Sequence, residues 1–200
     1  KAGICLIHAS GFLEFLFLWE FPAKLLDFVG MRLVIYPGTF DPMTNGHLDL
    51  VRRAAKIFDR VVVAVAQSDE KHPLFTPPER LELVENAIQP FQSVSAETFD
   101  GLLINYVEQR GGQAVVRGLR AVSDFEFEFQ LALLNRRLNE RIETVFMMPK
   151  DEYVFLSSRI VKEIARLGGD VTPFVPAHVG KALTRKFASV RAGAGPPSSL

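Results

Sequence analysis

Residues 60–67 read Arg-Val-Val-Val-Ala-Val-Ala-Gln, six successive apolar side chains rich in β-branched residues. A strand with one wet face alternates apolar and polar residues, so an unbroken run marks a strand covered on both faces. Covering both faces takes helices, and the sequence supplies them in alternation with strands. Strands are expected at 33–36, 60–67, 92–98, 113–117 and 144–148. Helices are expected from about His47 to near Phe58, over 77–88 and 102–109, from Ser123 through Leu138, from Ser157 to Gly168, and over 176–187. Thr76-Pro-Pro-Glu79 and Ser123-Asp-Phe-Glu126 have the spacing of capping boxes. Gly111-Gly112 and Gly168-Gly169 stop two of the helices. The fold class that follows is α/β, a doubly wound parallel sheet of about five strands with helices on both faces.

Ligands of such sheets bind outside the carboxyl ends of the strands. The notable polar residues fall at those ends: Thr39 and His47, Lys71 and His72, Arg117 and Arg120, and Ser157 to Arg159. The richest stretch is Tyr36-Pro-Gly-Thr-Phe-Asp-Pro-Met-Thr-Asn-Gly-His47, where an apolar strand runs through turn formers into a helix start. A helix start offers free N–H groups and the positive end of its dipole, which together suit an anion. Asp41-Pro42 is expected to form a turn and no metal site, and Gly46 to let substrate approach the backbone. A histidine inside a helix or a lysine in a charged loop is ordinarily solvated; convergence at strand ends separates these from that background. Two arginines three apart, beside Gly118, favour phosphate over solvent.

Basic and acidic residues balance at 23 each, which speaks against a nucleic-acid or anionic-membrane binder. The single cysteine, Cys5, rules out an intrachain disulfide and a cysteine-rich zinc site. Residues 1–30 differ from the rest: they hold Cys5, the only tryptophan, Trp19, and a Phe/Leu-rich segment broken by Glu14. That segment is too short for a membrane span, which takes roughly 20 predominantly apolar residues, and it lacks the parts of a signal peptide. The expected organisation is an extension at 1–30, with the natural start at Met31, one domain over 31–187, and a flexible tail over 188–200. The rival for 1–30 is an amphipathic segment packed on the fold or on a membrane.

No Gly-x-Gly-x-x-Gly follows the first strand, and no Gly-x-x-x-x-Gly-Lys-Ser/Thr occurs, so neither a dinucleotide dehydrogenase nor a Walker-type ATPase fits. Gly-x-Ser-x-Gly is absent too. Donors and cations without an obvious covalent catalyst suit phosphoryl or nucleotidyl transfer, which needs positioning and charge neutralisation above all.

Pro37-Gly-Thr-Phe-Asp-Pro-Met-Thr-Asn-Gly-His47 resembles the signature of nucleotidyltransferases that carry a Thr/His-x-Gly-His motif. Arg117-Gly-Leu-Arg-Ala-Val-Ser-Asp-Phe-Glu-Phe-Glu128 and Phe155-Leu-Ser-Ser-Arg159 narrow the resemblance to the phosphopantetheine adenylyltransferase family. It runs from Arg32 to about Phe187. The resemblance implies a Rossmann-like nucleotidyltransferase fold and transfer of AMP from ATP to 4′-phosphopantetheine, with Mg2+ assisting. The products would be dephospho-coenzyme A and pyrophosphate.

It further implies that His47 contacts the ATP phosphates and stabilises the transition state. Thr39, Lys71, Leu103 and Arg117 would serve the acceptor. Thr39, Phe40, His47, Gly118, Leu119, Arg120 and Glu128 would bind ATP, together with Tyr153, Val154, Phe155, Leu156, Ser157, Ser158 and Arg159. Arg159 stands where some relatives carry a third serine. No protein metal ligand is assigned. A cytoplasmic homohexamer is implied, with no nucleic-acid or membrane partner. A sister enzyme with another acceptor, such as nicotinamide mononucleotide, and a silent nucleotide sensor are the competing readings; the Arg-Gly-Leu-Arg run and the intact Thr-Asn-Gly-His weigh against them.

Overall fold

The structure, a computed structural model, describes residues 31–67, 73–120 and 122–193. Five strands, β1 (Leu33–Gly38), β2 (Arg60–Ala66), β3 (Val94–Phe99), β4 (Ala114–Gly118) and β5 (Glu143–Met147), form one sheet in the order β3-β2-β1-β4-β5. Every pairing is parallel. Six helices are described: α1 (Asn45–Ala54), α2 (Pro77–Ile88), α3 (Leu103–Gln109), α4 (Val122–Leu138), α5 (Ser158–Arg166) and α6 (Ala177–Gly193). The order reverses at β1, from which the chain winds outward to β2 and β3 on one side and to β4 and β5 on the other. A crevice opens at that point, above the carboxyl ends of β1 and β4.

The uninterrupted apolar strands are explained by what lies on each face. Val34, Tyr36, Val61, Val63, Val65 and Val116 point to one side, under Leu50, Val51 and Ala54 of α1 and Val84, Ala87 and Ile88 of α2. Ile35, Val62, Ala64 and Val115 point to the other, against Ile104 and Val107 of α3 and Ile142. A third cluster joins α2, α5 and α6 through Leu83, Val161, Val179 and Leu183. Each central strand thus buries both of its side-chain rows.

Helix ends depart from expectation in three places. α1 closes at Ala54 rather than near Phe58: turns take over the chain there, while Phe58 stays packed on the core. α4 already includes Val122, ahead of the serine expected to cap it, and the side chains of 122–124 lie outside the description. α6 runs on to Gly193, past Phe187, so the expected tail is helical at its start. Ala188 to Ala192 contain no helix breaker. The expectations for 1–30 and for 194–200 fall on residues outside the description.

Candidate active site

Thr44 caps α1 and fixes the histidine three residues on. The Thr44 backbone N–H donates to His47 Nδ1 at 3.0 Å, and the His47 N–H donates to Thr44 Oγ1 at 3.3 Å. This is a capping box in which a histidine replaces the usual glutamate. Its chemical consequence is a set tautomer: Nδ1 accepts, so in the neutral ring Nε2 carries the proton. Burial of the ring, helped by the charge of Arg120, pushes the His47 pKa down to about 4, although the residue keeps part of its surface on the cavity. His47 is therefore a neutral donor at physiological pH.

Aromatic packing holds the ring from beneath. Phe40 meets His47 edge-on at 5.3 Å between centroids and Tyr36 at 5.4 Å. Phe40 takes a left-handed φ of 49°, unusual for a bulky residue. Gly38 makes room for it: a Cβ there would come within 2.9 Å of the Phe40 ring. Phe40 lines the cavity yet is only 3% exposed, so its ring is scaffold for His47. Tyr36 is buried beside it, and burial holds its phenol well above the ordinary tyrosine range, with Arg117 and Arg120 opposing and Glu128 adding.

At the end of β4 the guanidinium of Arg117 forks onto Glu128 of α4, Nε to Oε2 at 2.7 Å and Nη2 to Oε1 at 2.6 Å. Its Nη1 donates to the Pro37 carbonyl at 3.3 Å. Arg120 donates to the Leu156 carbonyl at 2.9 Å. Gly118 lets α1 approach the strand, since a Cβ would stand 2.7 Å from Leu50 Cδ1.

A 3-10 turn, Asp151–Tyr153, leads to the third wall. Ser157 caps α5 by accepting from the Ile160 N–H at 3.2 Å, and the Ser158 hydroxyl donates to the Pro42 carbonyl at 2.7 Å. Two helix N-termini, of α1 and α5, thus open on one cavity of about 430 Å³, within the range of small-molecule sites. The notch at Gly46 serves Tyr153, whose Cβ would lie 3.3 Å from a Cβ placed there. Gly46 also lines the cavity, where the expected approach of substrate to its backbone would take place.

The cavity brings together Thr39, Phe40, His47, Arg117, Gly118, Arg120, Glu128, Tyr153, Leu156, Ser157, Ser158 and Arg159. Leu103 is not among its lining; it starts α3 and packs on the core of the opposite sheet face. Leu119, which bonds to the β5 end through its N–H, is not among the lining either, nor are Val154 and Phe155, the last 88% exposed. Lys71 and His72 lie outside the described residues.

Sequence reasoning missed Lys162, and it placed Asp41-Pro42 in a turn, as observed, without the distant partners that Asp41 finds there. Lys162 lines the cavity from α5 and pairs with Asp41. It stands one helical turn beyond Ser158, a spacing that was legible. Asp41 is buried, and its carboxylate accepts the N–H groups of Leu74 and Phe75 at 2.9 Å each. Among the described residues no group of three or more His, Cys, Asp or Glu could hold a metal ion. The two carboxylates on the cavity, Asp41 and Glu128, already face Lys162 and Arg117.

Comparison with known proteins agrees with the geometry. The model of the cytidylyltransferase-like family matches residues 35–164. A phosphopantetheine adenylyltransferase from Thermodesulfovibrio yellowstonii is 56% identical over 154 residues, 76% of this chain and 96% of the relative. One from Alkaliphilus metalliredigens is 50% identical over 156 residues, 78% of this chain and 99% of the relative. One from Hahella chejuensis is 53% identical over 158 residues, 79% and 98% of the two chains. A solved structure from Vibrio parahaemolyticus, described as a candidate nicotinate-nucleotide adenylyltransferase, superposes with a TM-score of 0.57 at 18% identity. It covers 76% of this chain and 98% of that one, and shows the shared fold.

Proposed function

The chain belongs to the phosphopantetheine adenylyltransferases of the cytidylyltransferase-like family, and from that membership we infer that it transfers AMP from ATP to 4′-phosphopantetheine, giving dephospho-coenzyme A and pyrophosphate in coenzyme A biosynthesis. The observation that carries the mechanism is the fixed tautomer of His47.

An oxygen of the acceptor phosphate attacks the α-phosphorus of ATP, and the bond from that phosphorus to the bridging oxygen of pyrophosphate breaks. Negative charge grows on the bridging and non-bridging oxygens. His47, neutral and with its Nε2–H free of the capping bonds, donates to that developing charge; a donor already in place stabilises the transition state more than the ground state. The acceptor phosphate is assigned to Thr39, Lys71 and Arg117. The ATP phosphates are assigned to the N-termini of α1 and α5, Arg120 and the serines of 157–158. Support for these roles is their convergence on one cavity, and for Lys71 its sequence position.

Mg2+ has no carboxylate cage among the described residues. It is therefore proposed to arrive on the ATP phosphates, where that ion usually keeps several waters. No step is assigned to it.

Assembly into a homohexamer is the proposed quaternary state. Its support is α4, which leaves Phe127, Leu133, Leu134 and Leu138 more than half exposed and stacks Phe125 on Phe129 at the surface. Apolar faces of that extent mark interaction sites. No helix among the described residues is long and apolar enough to cross a membrane, and the cytoplasm is the proposed compartment.

The test is magnesium-dependent pyrophosphate release from ATP, with 4′-phosphopantetheine supplied, omitted, or replaced by nicotinamide mononucleotide. Release only with the first acceptor is expected. Release with the third alone would make the chain a sister enzyme, and none with either would leave a nucleotide-binding module.

A further inference from the structure

The largest fully buried side chain among the described residues is an arginine, Arg80, in the first turn of α2. A buried guanidinium is a costly way to fill a core, since apolar residues of similar volume commonly stabilise as well or better. What the guanidinium adds is geometry. Its Nε donates to the Phe75 carbonyl at 3.1 Å, and its Nη1 donates to the carbonyls of Thr39 at 2.8 Å and Ala66 at 2.7 Å. Those carbonyls belong to three separate segments: the turn that follows β1, the last residue of β2, and the approach to α2. The planar fork sets all three at once, which a point charge on a flexible stem cannot do.

Asp41 laces the same segments in the opposite sense. It accepts from the N–H groups of Leu74 and Phe75, so Phe75 is held at its N–H by Asp41 and at its carbonyl by Arg80. Thr39 and Pro73 line the cavity; Arg80 does not, and stands behind that wall. The remaining walls are held by bonds in which Arg80 takes no part: Thr44 with His47, Arg120 with Leu156, and Ser157 with Ile160.

We propose that Arg80 is a positioning residue for the acceptor half of the site, fixing Thr39 against the end of β2 and the approach to α2. This rests on the functional reading given above. Working sites hold their groups to within about half an ångström, and loosening one wall alone should weaken one substrate alone.

The experiment measures Michaelis constants for both substrates in wild type, Arg80→Lys and Arg80→Met, with the melting temperature of each. Arg80→Lys should raise the constant for 4′-phosphopantetheine at least tenfold and leave that for ATP within twofold. Arg80→Met should move the acceptor constant further in the same direction. A parallel rise in both constants, no change in either, or failure of both variants to fold would overturn the inference. A wild-type chain inactive with this acceptor would sink the functional reading and the inference with it; an active wild type with a parallel loss in the variants would sink the inference alone.

Discussion

At the end of β1 the polar groups are bound to backbone in the arrangement they work in, whereas at the end of β4 the fork of Arg117 is held by the carboxylate of Glu128. Thr44 and His47 exchange two capping bonds, and the imidazole is left with one free donor aimed by its neighbours. Arg117 and Glu128 form a bidentate pair, so a carboxylate already balances the cation. The first arrangement loses nothing when substrate arrives. In the second, a phosphate must compete with a carboxylate for the same fork. The difference separates what drives the rate from what tunes affinity: the β1 side should show in turnover, the β4 side in Michaelis constants.

The sharpest way to break that comparison is at His47. Removing a preorganised donor to developing charge costs roughly 3–4 kcal/mol, about 10²–10³ in turnover. His47→Ala should lose at least that factor, with ATP affinity changed much less and the fold intact. Asn should recover part of the loss as a neutral donor, and Glu should be worse than Ala because it repels the phosphates. Near-full turnover of His47→Ala at saturating substrates would remove the β1 side from the mechanism.

The next effect is on stability. His47 titrates near 4 in the folded chain and near its ordinary 6.5 when unfolded. Above about pH 7 both states leave it neutral. As pH falls through 6.5 the unfolded chain gains a proton that the folded chain refuses until about pH 4, so stability declines across that window and levels off below it. The size is at most about 3 kcal/mol, since the ring keeps some contact with the cavity. Denaturant titrations from pH 7 to 4 should show this slope in wild type and a shallower one in His47→Asn. Equal slopes would mean that burial does not hold the ring neutral.

A smaller effect is expected at the paired arginine. Arg117→Ala leaves Glu128, whose side chain is 13% exposed, without its fork. Stability should fall by about 1–3 kcal/mol, as for a largely buried acceptor left unsatisfied. The Michaelis constant for the acceptor should rise roughly tenfold, with turnover at saturation only modestly reduced. Turnover falling as far as in His47→Ala would erase the distinction between the two sides.

How much of this was legible beforehand follows the same divide. Alternating buried runs gave the sheet, because a parallel strand declares itself by having no polar row, as residues 60–67 do. One local cap was legible, the box of Thr76 and Glu79; Thr44 and Ser157, expected only at the site, cap their helices as well. What the sequence could not show were partners distant along the chain. Asp41 looked like a turn residue, and only the fold brings it to Leu74, Phe75 and Lys162. Nothing in the sequence set Arg80 apart; its three carbonyls come from segments that meet only once β1 and β2 are paired. Phe40 was expected at ATP and does line the cavity; its left-handed backbone and edge-on contact with His47 had no signal in the sequence.

The smallest predicted effect is at Gly46, where the two sides of the cavity touch. A methyl group here would stand 3.3 Å from Tyr153 Cβ and 3.6 Å from Thr44 Oγ1, the first tighter than ordinary contact and the second comfortable. Against that crowding, alanine is favoured over glycine in a helix by up to about 1 kcal/mol, and less in the first turn. Tyr153 belongs to a short 3-10 turn and can yield by a few tenths of an ångström. The two terms nearly cancel, so Gly46→Ala should change stability by less than about 0.5 kcal/mol. Shifting Tyr153 should raise the Michaelis constant for ATP a few-fold and leave turnover close to wild type. If Gly46 instead gave substrate access to the backbone, the same methyl would block the phosphates directly, and turnover would fall a hundredfold with stability unchanged. Kinetics of this one variant therefore decide whether the glycine accommodates a neighbouring loop or the substrate itself.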